Sequence, residues 1–357
     1  MPDAQLILKV GGTEFRGWQK VEVRQGLSAL CGAFQISLTD RWAGQPDQWQ
    51  IEAGSPCEVW IDGDQLGTGY VDRARYRETA RDRTIEIEAR EKTQDLVDCS
   101  AVKDPGSWSG RKLEQIATEL AKPFGIKVSA VASTGEAFPK FALEQGETVF
   151  SAIQRMCQAR GVLPITTPTG DVQLITPGKE RAGYGLTLGE NLEAFEFDDD
   201  VSERFSEYIV KGYAGHKARG GGKHPRATAT DAGVNRYRPL VLVHDDQATA
   251  AVVDKRARWE ASVRAARARK ATATLPGWRE PTTGELYRFN RVAHVTALRD
   301  GVDQDLLIGS LRYFIDERKG RRTEVELMPT EAYSLEPVQA GKGKSRRGRG
   351  VAPLTGR

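Results

Sequence analysis

Cysteine is scarce here, and the little there is lies far apart. Cys31, Cys57, Cys99 and Cys157 are the only four in 357 residues. No CxxC pair exists, which excludes a zinc ribbon or a thioredoxin-type redox site. Their spacing favours four buried, reduced thiols over a disulfide frame. Histidine is as rare: His216, His224, His244 and His294 form no HExxH or HxxxH pair, so a zinc-hydrolase site has no ligands to build on. No apolar run approaches about 18 residues, which leaves no membrane-spanning helix. The opening MPDAQLILKVGGTEF has neither a basic start nor a long apolar core. It does not read as a secretion signal, and assembly in a cytoplasm is the expectation.

A dominant charge is lacking too. The formal net charge is +3, from 52 Lys and Arg against 49 Asp and Glu. Six of those cations lie in residues 341–357, GKGKSRRGRGVAPLTGR, which hold no acid. The rest of the chain therefore carries 46 cations against 49 acids, and is not a general nucleic-acid binder. The tail has nothing to bury and is expected to be disordered, a solubilising end rather than a phosphate reader.

What is present is β pattern. LILKV, GAFQISLTD, CEVWID, GYVDRARYRETA and RTIEIEARE alternate apolar and polar residues at period two within the first hundred positions. Five or six such strands joined by short turns predict a small antiparallel barrel or sandwich over 1–100. After Ser100 the period changes. Leu113, Ile116, Ala117 and Leu120 make one helical stripe, with Ser107 or Ser109 placed to cap it and Pro123 and Gly125 to stop it. A second helix runs over GETVFSAIQRMCQARG with Gly161 at its C-terminal cap. VLPITTPTGDVQLITP follows as a hairpin turning at Thr169-Gly170-Asp171. These elements predict an α/β module over 101–185. A second barrel is expected over 186–333, with a helix near 246–270 and a mobile or functional Gly-rich loop over 212–233. A basic tail, 334–357, ends the chain. The fold class expected is mainly β with an α+β insert: two small antiparallel β-barrel domains plus an α/β module.

Candidate chemistry thins out on inspection. EAREKTQDLVDCS places Asp95, Asp98 and Cys99 within five residues, and paired carboxylates beside a thiol can do acid–base or nucleophilic work. No histidine lies within a hundred residues, however. One helical turn closing the first barrel, with Leu96 and Val97 packed down and the acids capping or in water, fits better. Asp198–Asp200 lack the alternating ligands and glycine of a calcium loop and read as a solvated turn. In GSWSG, Gly106–Gly110, tryptophan stands where a nucleophile elbow needs serine. RGGGK misses the spacing of a phosphate loop. From Lys255 to Lys270 seven cations face one acid, Glu260. Val252, Trp259, Val263 and Ala266 form a narrow apolar stripe there, and the cations spread around the rest, as on a packed surface helix. Catalytic, cofactor-binding and metal-binding residues are therefore none, and no cofactor is implied.

GWQKVEVRQGLSALCGAFQISLTDRW, GTGYVDRARY, IEIEAREKTQDLVDCS, KLEQIATELAKPFGIKV, ETVFSAIQRMCQARGVLPITTPTGDVQLI, SEYIVKGYA and GELYRFNRVAHV, followed by LLIGSLRYFIDERKGRRTEVELMP, resemble in order and spacing a known family. It is that of the baseplate hub proteins of contractile-tailed, Mu-like phages, within the late-control tail family. The resemblance runs from about Leu6 to Pro329. It implies a structural, non-enzymatic virion protein of the tail baseplate, assembled in the host bacterial cytoplasm. It implies a homotrimer in which two related barrels per chain make a six-barrel ring. That ring would join a hexameric tail tube to a trimeric spike, contact other baseplate proteins, and enclose a channel that DNA passes without specific binding. No membrane is involved. Two rival expectations come from other classes: a cell-wall-binding or cell-wall-degrading tail protein using the α/β module, and a DNA-binding protein using the basic helix and tail.

Overall fold

The computed structural model describes residues 4–39, 50–79, 83–213, 224–316 and 318–335. Alternation organises the first seven strands: β1 (Leu6–Val10), β2 (Thr13–Phe15), β3 (Lys20–Gly26), β4 (Ala33–Thr39), β5 (Pro56–Ile61), β6 (Asp64–Glu78) and β7 (Arg83–Glu91). Val21 and Val23 of β3, and Ile85, Ile87 and Ala89 of β7, are buried while their neighbours are not. The hydrogen-bonded order is β3-β4-β7-β6-β5-β1-β2, antiparallel throughout. β2 and β3 stand at opposite ends of this order, yet only residues 16–19 separate them. A flat seven-stranded sheet would hold them about 29 Å apart, whereas five residue steps reach at most about 18 Å. The sheet must therefore roll, and it does so around Leu8, Phe34, Val59, Ile61 and Val71. Among the described residues no ladder joins β2 to β3, so the roll stays open.

The chain then turns through a short helix, α1 (Gln94–Asp98), into β8 (Ser107–Trp108), α2 (Leu113–Ala121), β9 (Val128–Ala130), β10 (Phe141–Ala142), α3 (Val149–Arg160), β11 (Leu163–Thr166) and β12 (Val172–Ile175). The α2 stripe Leu113, Ile116, Ala117 and Leu120 is buried against α3 residues Ile153, Met156 and Cys157. Gly161 ends α3 at φ +66°, and Gly125 at φ +64° ends the 3-10 turn (Lys122–Phe124) that follows α2; any side chain would be strained at either. The Thr148 hydroxyl accepts the Ser151 amide at 3.1 Å and caps α3. Neither Ser107 nor Ser109 caps α2, contrary to expectation. Lys112 stands at that position, its amide donating to Gln115 Oε1 at 3.0 Å. Ser107 is instead extended because β8 pairs with β10, which brings Trp108 beside Phe141 and its indole N–H to Glu119 at 2.9 Å.

The remaining strands are β13 (Glu180–Arg181), β14 (Leu186–Thr187), β15 (Ala194–Asp199), β16 (Glu207–Tyr213), β17 (Arg226–Thr230), β18 (Pro239–Gln247), β19 (Arg269–Pro276), β20 (Arg291–Ala297), β21 (Val302–Asp316) and β22 (Gly320–Met328). One helix, α4 (Ala250–Arg267), lies between β18 and β19. Two sheets result. β15-β19-β22-β21-β20 forms one, with β13 and β14 added parallel on β20. β17-β16-β18 forms the other, with β18 parallel to β16 and α4 packed on it through Val252, Val253 and Ala257. Two expected loops are strand instead. Arg226–Thr230, inside the Gly-rich segment, alternates Ala with β-branched Thr and pairs with β16, turning Ala227 and Ala229 towards α4. Asp198 and Asp199 end β15 opposite Lys270 and Arg269.

The second β region repeats the first. The order β15-β19-β22-β21-β20 matches β3-β4-β7-β6-β5, and β6 and β21 are both 15-residue strands followed by nine-residue partners. Each long strand breaks register once against its nine-residue partner, at Asp72 between Val71 and Arg73 and at Gly309 between Ile308 and Ser310. Three residues after each break comes Arg-Tyr. Arg75 pairs across the hairpin with Glu86 at 3.3 Å, and Arg312 with Glu324 at 3.1 Å. The Tyr76 hydroxyl donates to the Ile51 carbonyl at 2.7 Å, and that of Tyr313 to the Tyr287 carbonyl. The two regions join where β21 pairs with β3, Ser310 to Phe314 against Gly26 to Glu22. The whole is mainly β, as expected.

Candidate assembly surface

The segment that looked most like chemistry is a joint. α1 follows β7 directly and drops Leu96 into the module core. Asp98 lies within 2.8 Å of Arg90, which also holds Asp72 at 2.6 Å. These pairs raise the guanidinium further above its ordinary range, Asp98 first and Asp72 next. Asp95 is modestly raised by partial burial and by Asp98. Asp98 thus neither caps the helix nor stands alone in water, because Arg90 reaches it from the end of β7. Cys99 is exposed and Cys31 half-buried, so only Cys57 and Cys157 match the expected buried thiols. Burial pushes both of those thiols up to about 12, far from nucleophilic use.

The residue that matters in this stretch is Glu91, two per cent exposed. Its carboxylate accepts the Gly32 amide and the Gln25 side-chain amide, each at 2.7 Å. Beside it the Thr93 and Thr166 hydroxyls meet at 2.7 Å, tying the first sheet to the α/β module. Burial pushes the Glu91 carboxyl up to about 7, against the opposing pull of Gly32 and Gln25. The sequence did carry a signal: continuing the β7 alternation Ile85, Ile87, Ala89 by two places turns Glu91 inward.

The other candidates stay apart. His224 stacks at 5.5 Å on Tyr213, and His244 is buried. His294 is exposed between Asp305 at 3.1 Å and Asp303 at 3.0 Å, which raise its pKa in that order. Asp305 is held down at about 2, first by Arg181 and then by His294. His216, the RGGGK run and the tail lie outside the described residues. Among the described residues no three His, Cys, Asp or Glu side chains are grouped to hold a metal, and no helix is long and apolar enough to cross a membrane.

The basic helix is occupied within its own chain. Glu260 is buried and takes Arg264 at 2.9 Å and Arg256 at 3.6 Å. Arg258 pairs with Asp254 at 3.0 Å, and Lys270 with Glu326. Trp259 is not part of the inner stripe: it is half-buried and donates to the Ser334 carbonyl at 3.2 Å. Val253 and Ala257 take the inner positions. What remains is surface: sheet edges, charged strand faces, and an open groove of about 620 Å³ between the two β regions, lined by Arg24, Gln25, Lys270, Arg312 and Glu326.

Such a surface suits assembly, and the comparisons agree. Residues 5–91 match the model of the Mu phage baseplate assembly protein GpP-like N-terminal domain. Residues 93–176 match the second domain of gp44-like baseplate hub proteins, and 249–336 the fourth domain of GpP. Baseplate hub protein gp44 of Escherichia phage Mu is 34% identical over 352 residues, 96% of this chain and 91% of that one. The chain belongs to the Mu baseplate hub family. Its structure superposes on the 43 kDa tail protein of prophage MuSo2 from Shewanella oneidensis with TM-score 0.84 and 33% identity, covering 93% of this chain and 99% of that one. A tail protein from Neisseria meningitidis MC58 shares the fold at TM-score 0.78 and 23% identity, covering 94% and 98%. The Mu-type hub is thus a structural component of the virion tail.

Proposed function

We propose that three copies of this hub close into a ring with six similar β units around a channel. The observation that carries this is the repeat. One chain presents the same five-strand order twice, so threefold symmetry of the chain gives near-sixfold symmetry of the sheets. A ring of that kind fits a hexameric tail tube on one face and a trimeric spike on the other, with DNA passing through and no specific contact to its bases. The same reading divides the chain into a tube-like β domain over 1–100, an α/β module over 101–185, a second β domain over 186–333, and a basic tail, and it assigns no catalysis. Class averages of the purified protein should show a threefold particle with a central hole, at three times the chain mass by light scattering. A monomer at every micromolar concentration tested would sink the ring. Purified cell wall in a zymogram should remain uncleared; clearing would favour the wall-degrading alternative.

A further inference from the structure

Within one chain, β21 receives β3 on the edge that β22 leaves open. The repeat makes β6 the counterpart of β21, and β15 the counterpart of β3. Yet among the described residues no strand pairs with Arg73–Arg77 on the outer edge of β6, and none with β15 on its outer edge. Each chain therefore has one such junction made and the two halves of another unmade, at separate places. We infer that the β6 edge of one copy pairs antiparallel with the β15 edge of a second copy; this rests on the ring proposed above and names its contact.

The register follows from the pairings. Val71 and Ile308 each precede the break in their strand. They pair with Ala89 and Leu327, which pair with Phe34 and Ala271, which pair with Val23 and Phe197. Val23 therefore corresponds to Phe197. In the junction already made, Ser310, Arg312 and Phe314 oppose Gly26, Arg24 and Glu22. Transferred, Arg73 opposes Asp200, Arg75 opposes Asp198 and Arg77 opposes Glu196, with Tyr76 against Phe197. Three arginines on one strand face meet three acids on the other, and all six are exposed in the single chain.

The charges also choose between occupants. Two β6 edges would set arginine against arginine, and two β15 edges acid against acid, so both self-pairings are repelled. Only the head-to-tail contact is attractive, and a head-to-tail contact propagates until it closes. A shared arginine has a precedent in this chain: Arg312 reaches Glu324 of its own hairpin at 3.1 Å and Glu22 of the docked strand at 3.8 Å. Arg75, already 3.3 Å from Glu86, is placed to take Glu196, the counterpart of Glu22, in the same way, with Asp198 directly opposite it.

The test uses the full chain. In a Cys99→Ser background, Arg75→Cys combined with Asp198→Cys should give, on mild oxidation, covalently linked species ending at three chains. The out-of-register pair Arg75→Cys with Ala194→Cys should link far less. Arg73→Glu, Arg75→Glu and Arg77→Glu together should raise the dissociation constant of the oligomer by about a hundredfold or more. Adding Glu196→Lys, Asp198→Lys and Asp200→Lys to the same chain should restore assembly, which a misfolded variant would not do. A trimeric wild type, with no in-register cross-link in the Arg75→Cys, Asp198→Cys chain and no loss of assembly on the reversals, overturns this contact while leaving the ring standing. A wild type that is monomeric throughout overturns both.

Discussion

At the scale of single residues, Glu91 holds the most consequential proton. The carboxyl titrates near 4.5 in an unfolded chain and near 7 in the fold, because burial outweighs the donors Gly32 and Gln25. Between those values the folded chain binds more protons than the unfolded one, so this group's contribution to stability is greatest below pH 4.5 and falls as pH rises to 7. The interval corresponds to about 3 kcal/mol at most. Urea unfolding of wild type and Glu91→Gln across about pH 4.5 to 7.5 should show a negative slope in the wild type that the variant largely lacks; parallel curves would refute the assignment. The aspartates nearby matter less. The Arg90–Asp98 pair is half-exposed, and such pairs contribute up to about 1 kcal/mol. An Asp95→Asn, Asp98→Asn double variant should lose no more than that in denaturation and assemble as wild type. Both aspartates were conspicuous in the sequence and Glu91 was not, since a carboxylate at the end of an alternating strand looks like the start of a loop.

At the scale of elements, the strands of the first β region and the two module helices were legible because their periodicity comes from one buried face. β17 was not, because its five residues sit among glycines and gain a partner only when β16 is in place. The two β regions were expected, but their equivalence strand by strand was hidden. RYRETARDRTIEIE and RYFIDERKGRRTEVE share little beyond Arg-Tyr and the later Arg-Thr, and their equivalence rests on the breaks at Asp72 and Gly309, which are properties of pairing. Gly309 gives the element scale its test. Its carbonyl accepts the Leu27 amide at 2.8 Å where the two β regions join, and an added Cβ would lie 1.7 Å from the Tyr333 hydroxyl. Gly309→Ala should therefore cost about 1–3 kcal/mol in thermal or urea unfolding, while Gly301→Ala, with open space around its Cβ but φ +68°, should cost about 1 kcal/mol from backbone strain alone. Equal losses would mean that Tyr333 does not press on the joint.

At the scale of the whole molecule, charge decides between assembly and nucleic-acid binding. Whether the cations of α4 can also hold DNA is decided by the partners they already have. Arg256, Arg258 and Arg264 of α4 each face an acid of the same chain, as does Lys270 at the start of β19. Releasing any of them to a phosphate would strand its partner, Glu260 above all, since that carboxylate is buried. The six cations of residues 341–357 have no acid among them and can bind phosphate through counterion release. Gel retardation of duplex DNA at low salt should therefore track the tail. The full chain should retard DNA weakly and lose the effect as salt rises, and a chain ending at residue 340 should not retard it at all. Retardation that survives the deletion and disappears with Arg258→Glu would place DNA binding in the body, and with it a role for α4 that the intramolecular pairs argue against.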